Sequence, residues 1–164
     1  STQAKTLFPY TTLFRSMHYE RTFIAGWSDM DFNQHMRNTA YFDKASECRI
    51  MYFADRGFPV HTFQKLGIGP IAQQDEARYF REVDLLGEIC VKLELAAMAD
   101  DGSRFKFRNV ITRADGQVAA IVSSSGGWLD LTERKLVAAP QPLLDALKWL
   151  DRTDDFETWP SSLK

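Results

Sequence analysis

One stretch of helical periodicity constrains the fold of this chain more than any other part of its sequence. Between about Asn38 and Arg56, apolar side chains recur at the three- and four-residue spacing that places them on one side of a helix. The stripe consists of Tyr41, Phe42, Ala45, Cys48, Ile50, Tyr52 and Phe53. Either Asn38 or Thr39 is predicted to cap the start of this helix, and Gly57 is predicted to end it. A helix with so wide an apolar stripe needs a sheet to lie on.

The segments on both sides of this helix carry the patterns of strands. Residues 18–27 alternate loosely and predict a strand before the helix. After Gly57 a short helix is predicted near residues 62–66. From Ile71 onward the residue types favour strands, and alternation is clear over residues 89–95, which predict a half-buried strand.

Turn signals separate the later strands. Asp100-Asp101-Gly102 and Ala114-Asp115-Gly116 each predict a hairpin, and residues 105–111 alternate between them. A long last strand is predicted over residues 117–131, with Gly126-Gly127 as a bulge or a close approach of two backbones. These strands are therefore expected to be antiparallel neighbours.

The order of elements predicts an α+β domain in which an antiparallel sheet wraps around one long helix. We assign this domain to residues 17–140. Pro140 is predicted to open a C-terminal helix over residues 141–150, and the polar tail after Asp151 is predicted to be loose. The C-terminal helix and tail together occupy residues 141–164.

Composition excludes several classes of protein. The chain has 164 residues, of which 45% are hydrophobic and 26% charged, as expected for one globular domain with its own core. A net charge of -2 does not suit a nucleic-acid-binding protein, and no apolar run reaches the roughly 18 residues of a membrane span. Cys48 and Cys90 form no disulfide framework, which favours a reducing cytoplasm.

The first residues call for a separate interpretation. Residues 7–16 resemble the translation of a widely used sequencing-library adapter, and they lack the apolar core and cleavage site of a signal peptide. We therefore expect residues 1–16 to be a non-native leader and the native protein to start at Met17.

The densest group of polar residues lies where the long helix is predicted to begin. Free N–H groups and the positive dipole end at a helix start suit an anion or an oxyanion. A carboxylate there can activate water or attack a carbonyl carbon, and a histidine can position either one. The same residue types also serve as plain caps and turns. The candidate catalytic residues in this group are Asp31, Asn33, His35 and Asn38.

A metal site is not predicted in this segment. Asp29-x-Asp31-x-Asn33 begins like a calcium-binding loop, but Gln34 and Ala40 stand where that loop needs Gly and Glu. A zinc site would need further His or Cys ligands nearby.

Two stretches resemble the hotdog-fold thioesterases, and the resemblance covers about residues 17–140. The first runs from Asp31 to Tyr41 and reads DFNQHMRNTAY. It is similar to the start of the central helix in acyl-CoA thioesterases of the 4-hydroxybenzoyl-CoA type, and closer still to the Asp-x-Asn-Gln-His-x-x-Asn-x-x-Tyr stretch of plant-type acyl-ACP thioesterases. The second is Tyr79-Phe80-Arg81-Glu82 followed by Gly87-Glu88.

The resemblance implies a fold, an activity and roles for particular residues. Asp31 matches the catalytic Asp of the bacterial-type enzymes, and Asp31, Asn33 and His35 match the Asp, Asn and His of the plant-type site. Glu82 falls where the plant-type enzymes carry a catalytic Glu, across a loop that is longer here. Backbone N–H groups near residues 37–40 are expected to form the oxyanion hole.

The expected reaction is hydrolysis of an acyl-CoA or acyl-carrier-protein thioester in the cytoplasm. This reaction needs no metal or redox cofactor, and CoA enters only as part of the substrate. The expected biological setting is fatty acid metabolism. The resemblance also implies a dimer or tetramer with the active site at the subunit interface. The residues predicted to bind substrate are Arg37, Thr39 and Tyr41 at the helix start and a basic stripe formed by Arg104, Lys106 and Arg108.

Two other functions fit the same fold. Hotdog-fold hydratases and dehydratases also use Asp, Asn and His, but they have one more residue between the Asp and the His than separates Asp31 from His35 here. A non-catalytic acyl-CoA-binding protein is the second alternative. No recognisable DNA-binding module accompanies the domain to transmit such a signal.

Overall fold

Within residues 18–163 the fold consists of three α-helices, a short 3₁₀ helix (Trp27–Asp29) and seven strands in one connected sheet. A computed structural model describes residues 18–163, so the predicted leader at residues 1–16 lies outside the described residues. The elements in chain order are β1 (Tyr19–Ile24), α1 (Asn38–Asp55), α2 (Val60–Leu66), β2 (Ile68–Tyr79), β3 (Glu88–Ala99), β4 (Arg104–Arg113), β5 (Val118–Asp130), β6 (Lys135–Val137), α3 (Gln141–Trp149) and β7 (Arg152–Trp159).

The sheet is largely antiparallel and has the strand order β1-β3-β4-β5-β2, with β6 beside β5 and β7 beside β3. Both predicted hairpins are confirmed: β3 pairs with β4, and β4 pairs with β5. Gly102 and Gly116 sit in the two turns with φ of 68° and 82°, a left-handed conformation that glycine adopts without strain.

Helix α1 lies on one face of this sheet and forms the centre of the core. Its stripe is confirmed at Ala45, Cys48 and Tyr52, which are fully buried, but the inclusion of Ile50 is wrong, because that side chain is 57% exposed. Its predicted end is also confirmed, because Gly57 follows the helix with φ of 88°. The predicted cap is wrong: Arg37 occupies the N-cap position, and no side chain caps the first turn.

Strand β5 passes close to its neighbours, as its two adjacent glycines predict. A Cβ atom on Gly126 would lie 1.8 Å from the carbonyl oxygen of Ile71 in β2. A Cβ atom on Gly127 would lie 2.6 Å from the carbonyl oxygen of Ser103, just before β4. The absence of a side chain at both positions therefore permits the close approach.

The C-terminal residues belong to the same core and sheet. Leu143 and Leu147 of α3 are fully buried. The prediction of a loose tail after Asp151 is wrong, because residues 152–159 form β7 and pair in parallel with the end of β3. Tertiary pairing with an open stretch of the β3 edge stabilises a segment whose own sequence is mostly polar.

These features confirm the predicted hotdog fold, an α+β arrangement of a curled antiparallel sheet around one long helix. The segment between β2 and β3 lies against the residues just before α1. The backbone N–H of Met36 donates to the carbonyl of Val83 in that segment (2.8 Å). Among the described helices, none has the length and apolar character that crossing a membrane requires.

Candidate active site

The turn from Asp31 to His35 is closed by the carboxylate of Asp31. Its Oδ1 accepts backbone N–H groups from Asn33 (2.8 Å) and His35 (3.1 Å). The backbone N–H of Asp31 in turn donates to the carbonyl of His35 (2.8 Å), and Gln34 adopts a left-handed φ of 64°. One oxygen of Asp31 therefore holds the turn, and the other accepts no hydrogen bond from the described residues.

His35 faces two carboxylates from the segment that follows β2. Its Nε2 lies 3.8 Å from Oε2 of Glu82 and 3.5 Å from Oδ1 of Asp84. A backbone bridge between His35 and Asp84 holds the two segments together. The structure thus brings Glu82, a predicted catalytic residue, next to His35, and it also brings Asp84 there. Within residues 18–163, the carboxylate of Asp31 and the imidazole of His35 form no hydrogen bond with each other.

Tyr79 at the end of β2 fixes the start of α1. Its hydroxyl donates to the backbone carbonyl of Asn38 (2.9 Å), and its ring packs edge-on against Tyr41 with centroids 5.3 Å apart. Tyr41 is buried, which raises the pKa of its phenol. Tyr41 thus packs beneath the site and is neutral at ordinary pH.

The first turn of α1 offers donors for an oxyanion. The N–H of Arg37 donates to the carbonyl of Asp29 (2.7 Å), and that of Ala40 donates to the carbonyl of Arg37 (3.0 Å). The N–H groups of Asn38 and Thr39 have no acceptor among residues 18–163. They are the available members of the predicted oxyanion-hole segment.

Two pockets meet at Asp31 and His35, which line both. One has a volume of about 680 Å³, and Asn33 lies in its wall. The other, of about 370 Å³, is lined by Asn38 and the other residues at the start of α1 and the end of β2. The remaining walls of the larger pocket are formed by Trp27, Met30, Gln34, Asp84 and Leu85.

Arg37 and Thr39 are engaged with each other beside these pockets. The Nε of Arg37 donates to Oγ1 of Thr39 (2.9 Å), and its Nη1 donates to the carbonyl of Ser28. Its Nη2 lies 3.3 Å from Oδ2 of Asp43. In this arrangement Arg37 ties the incoming loop to the first turn of α1.

The structure does not bring the basic stripe to this cluster. Arg104, Lys106 and Arg108 alternate with core residues of β4 and so lie on the sheet face opposite α1. Arg108 binds both carboxylate oxygens of Asp155 in β7 (2.8 and 3.1 Å), and the guanidinium of Arg104 lies 4.8 Å from the ring centre of Trp159. Side chains of β7 therefore bind two of the three cations, Arg104 and Arg108.

Sequence reasoning named Tyr79 only as a landmark and did not select Asp84. A signal for Asp84 was present, because it stands two residues after Glu82 and side chains two apart in an extended segment share a face. Its proximity to His35, however, depends on a contact between distant segments. Within the described residues, no group of three or more His, Cys, Asp or Glu side chains is placed to hold a metal ion.

The chain belongs to the thioesterase-like superfamily, whose family profile matches residues 25–147. The match includes α1, both segments of the cluster and most of the sheet. No curated protein sequence matches the chain.

Solved structures share this fold at low sequence identity. The hypothetical protein SAV2348 of Staphylococcus aureus, solved in complex with CoA, has a TM-score of 0.76 and 18% identity over 88% of this chain and 90% of its own. A 1,4-dihydroxy-2-naphthoyl-CoA thioesterase of Synechocystis has a TM-score of 0.73 and 16% identity over 80% and 96%. A DHNA-CoA thioesterase of Staphylococcus aureus has a TM-score of 0.68 and 16% identity over 74% and 80%.

Proposed function

We propose that this protein is a thioesterase that hydrolyses an acyl-CoA or acyl-carrier-protein thioester to a free acid and a thiol. The observation that carries the proposal is the meeting of three kinds of group at the start of α1. They are the free oxygen of Asp31, the imidazole of His35 and the unpaired N–H groups of Asn38 and Thr39. Thioester hydrolysis needs a nucleophile, a proton-transfer group and oxyanion donors, and these groups supply all three.

The proposed reaction begins when the N–H groups of Asn38 and Thr39 polarise the thioester carbonyl. Asp31 then takes a proton from water as the water oxygen attacks the carbonyl carbon, or its carboxylate attacks that carbon directly. Collapse of the tetrahedral intermediate breaks the carbon–sulfur bond, and the thiolate leaves and takes up a proton. A direct attack leaves an anhydride, which water then hydrolyses.

His35 is the proposed proton carrier and positioning group in this scheme. Glu82 and Asp84 lie within 3.8 Å of its Nε2 and are proposed to orient the imidazole. Asn33 and Asn38 line the pockets next to it and are proposed to orient the water or the carbonyl. Tyr41 is proposed to act from beneath the site through its packing against Tyr79.

Two features support a CoA-like substrate. The larger pocket at the cluster is walled on one side by the apolar side chains of Trp27, Met30 and Leu85, which suit an acyl or pantetheine chain. In addition, relatives of the same fold include a protein solved with CoA and a naphthoyl-CoA thioesterase. The substrate's phosphates are proposed to meet Lys106, the member of the basic stripe that β7 does not engage, and Arg37 at the helix start. Fatty acid metabolism is the proposed setting.

A homodimer or homotetramer is proposed as the working form, with active sites at the subunit interface. Strand β2 pairs with β5 along one edge, and its other edge has no strand partner among residues 18–163. A long open edge is a template for pairing with a second copy. Because Tyr79 ends this strand at the start of α1, such pairing would bring the partner close to the cluster. The free cysteines suit a cytoplasmic location.

Release of free thiol from a panel of acyl-CoAs, short to long and aromatic, tests the proposal. The expected result is steady thiol release from at least one member, with no loss of enoyl-CoA absorbance beyond the amount matched by released thiol. Loss of the enoyl absorbance without thiol release would establish a hydratase instead. Tight binding of acyl-CoA and acyl-carrier-protein without turnover would establish a binding protein.

A further inference from the structure

Arg49 is a half-buried cation on the sheet-facing side of α1, well away from the cluster at the helix start. Its Nη1 donates to Oδ1 of Asn109 (3.1 Å) and Oγ of Ser124 (2.9 Å), and its Nη2 donates to Oγ of Ser46 (3.0 Å). All three acceptors are neutral. A guanidinium has more N–H donors than these three hydrogen bonds use, so it can still bind a further acceptor.

The positive charge of Arg49 is not neutralised by the described part of the chain. Within residues 18–163, no carboxylate oxygen lies within 4.0 Å of its guanidinium nitrogens. Burial lowers the pKa of the guanidinium, and the field of Asp75 opposes this effect only in part. Because an arginine does not give up its proton in a protein, the site keeps a desolvated charge.

This charge faces a cavity of about 230 Å³ between α1 and the sheet. Ser124 and Ser125 add polar groups next to Arg49, and the rest of the wall is largely apolar. The larger apolar side chains are those of Ile50, Phe53, Pro70, Ile71, Phe105 and Phe107. A cavity with apolar walls and one cation suits an apolar chain that ends in an anion.

The cavity lies farther along α1 and β2 than the proposed reaction site. Helix α1 and strand β2 run past each other, with Tyr79 against Asn38 at one end and Ile71 beside Arg49 at the other. At 1.5 Å per residue, the helix start lies about 16 Å from Arg49 along the helix axis. A thioester held at the start of α1 can therefore extend its acyl chain toward this cavity.

We propose that the Arg49 cavity binds the far end of the acyl group and that this end carries a carboxylate. The substrate class is then CoA or carrier-protein thioesters of dicarboxylic acids, in which one carboxyl forms the thioester and the other pairs with Arg49. A carboxylate fits because its two oxygens match the planar guanidinium fork. This inference rests on the proposed thioesterase function.

Two matched CoA thioesters test the inference. Both carry the same acyl chain, but one ends in a free carboxylate and the other in its methyl ester. The wild-type protein is expected to show a kcat/KM about ten- to a hundredfold higher for the carboxylate, the effect of a charge-assisted hydrogen bond in a sheltered site. In Arg49→Met this preference is expected to vanish, mainly through KM.

Arg56→Met is the matched control, because it removes the same charge from the end of the same helix and outside the cavity. It is expected to keep the wild-type preference. Thermal unfolding of both variants separates loss of recognition from loss of structure, since Arg49 also ties α1 to β4 and β5. The preference of the wild type does not depend on whether Arg49→Met folds.

Equal kcat/KM of the wild type for the two esters would overturn the inference, and hydrolysis of ordinary acyl-CoAs would then leave the proposed function standing. An equal fall for both esters in Arg49→Met would make Arg49 a structural residue and would also overturn it. If no thioester is hydrolysed, the proposed function fails. Calorimetric titration of the same two esters then tests whether the cavity binds a carboxylate. Equal affinities of the wild type for the two esters would overturn the inference.

Discussion

Asp31 has two roles in the structure, and two substitutions separate them. One carboxylate oxygen accepts the backbone N–H groups that close the turn, and the other is free for chemistry. Asp31→Asn keeps an oxygen acceptor for both N–H groups and removes the charge. Asp31→Ala removes the acceptor as well. We therefore expect both variants to lose activity but only the alanine variant to lose stability.

The magnitude follows from the two hydrogen bonds. Because Asp31 is exposed to solvent, each of its hydrogen bonds contributes about 1 kcal/mol, the value for a bond between neutral groups. Loss of both bonds in Asp31→Ala therefore costs about 2 kcal/mol of folding free energy. For a chain of this size, that cost lowers Tm by about 4–8 °C. Asp31→Asn should change Tm by less than about 2 °C, because its amide oxygen still closes the turn.

Thermal unfolding followed by circular dichroism measures both shifts. Asp100→Ala is the control, because Asp100 is an exposed turn aspartate whose side chain accepts no hydrogen bond among the described residues. It should leave Tm unchanged. Equal Tm values for Asp31→Ala and wild type would refute a structural role for the Oδ1 contacts, and an Asn variant as unstable as the Ala variant would refute the separation of roles.

Three further predictions concern a strained backbone position, a buried thiol and an ion pair. Gln34→Gly should raise the free energy of unfolding, measured in urea, by up to about 1 kcal/mol, because a φ of 64° strains a residue that has a Cβ. A lower free energy of unfolding in the variant would contradict this. Burial raises the pKa of Cys48 to about 12. In the native protein a thiol reagent should therefore modify the half-buried Cys90 first and Cys48 only on unfolding. Equal modification rates of the two thiols would contradict this. The Arg108 hydrogen bond lowers the pKa of Asp155 from 3.8 to about 2, so its stabilising effect is present above pH 3.8 and lost as the pH falls toward 2. Asp155→Asn should thus lower the urea midpoint at pH 6 and leave it unchanged near pH 2, and an equal loss at both pH values would count against the ion pair.

The parts of the fold that local sequence controls were predictable. The stripe on α1 and the glycines at 102 and 116 act through neighbouring residues alone, and these predictions hold except at Ile50, which is exposed. The cap of α1 and strand β7 were not predictable in this way. Arg37 sits at the cap because loop contacts to Ser28 and Asp29 hold it there, and β7 forms because β3 leaves an open edge.

The candidate site divides in the same way. Asp31, Asn33 and His35 lie in one short segment, so their grouping follows from the sequence. The second carboxylate beside His35 comes from a segment nearly fifty residues later, and only the fold brings it there. Arg49 gave no local signal, since it stands in a helix among apolar neighbours and its partners lie on distant strands.

Thiol release by the wild type and Asp31→Asn, measured together on the acyl-CoA panel, tests the central claim most directly. The account predicts turnover by the wild type and a fall in kcat of at least about a hundredfold in the variant, because loss of a general base or nucleophile has an effect of this order. Asp100→Asn, the matched change at a distant turn, should keep full activity. Turnover by Asp31→Asn at the wild-type rate would contradict the account and move the chemistry away from the start of α1.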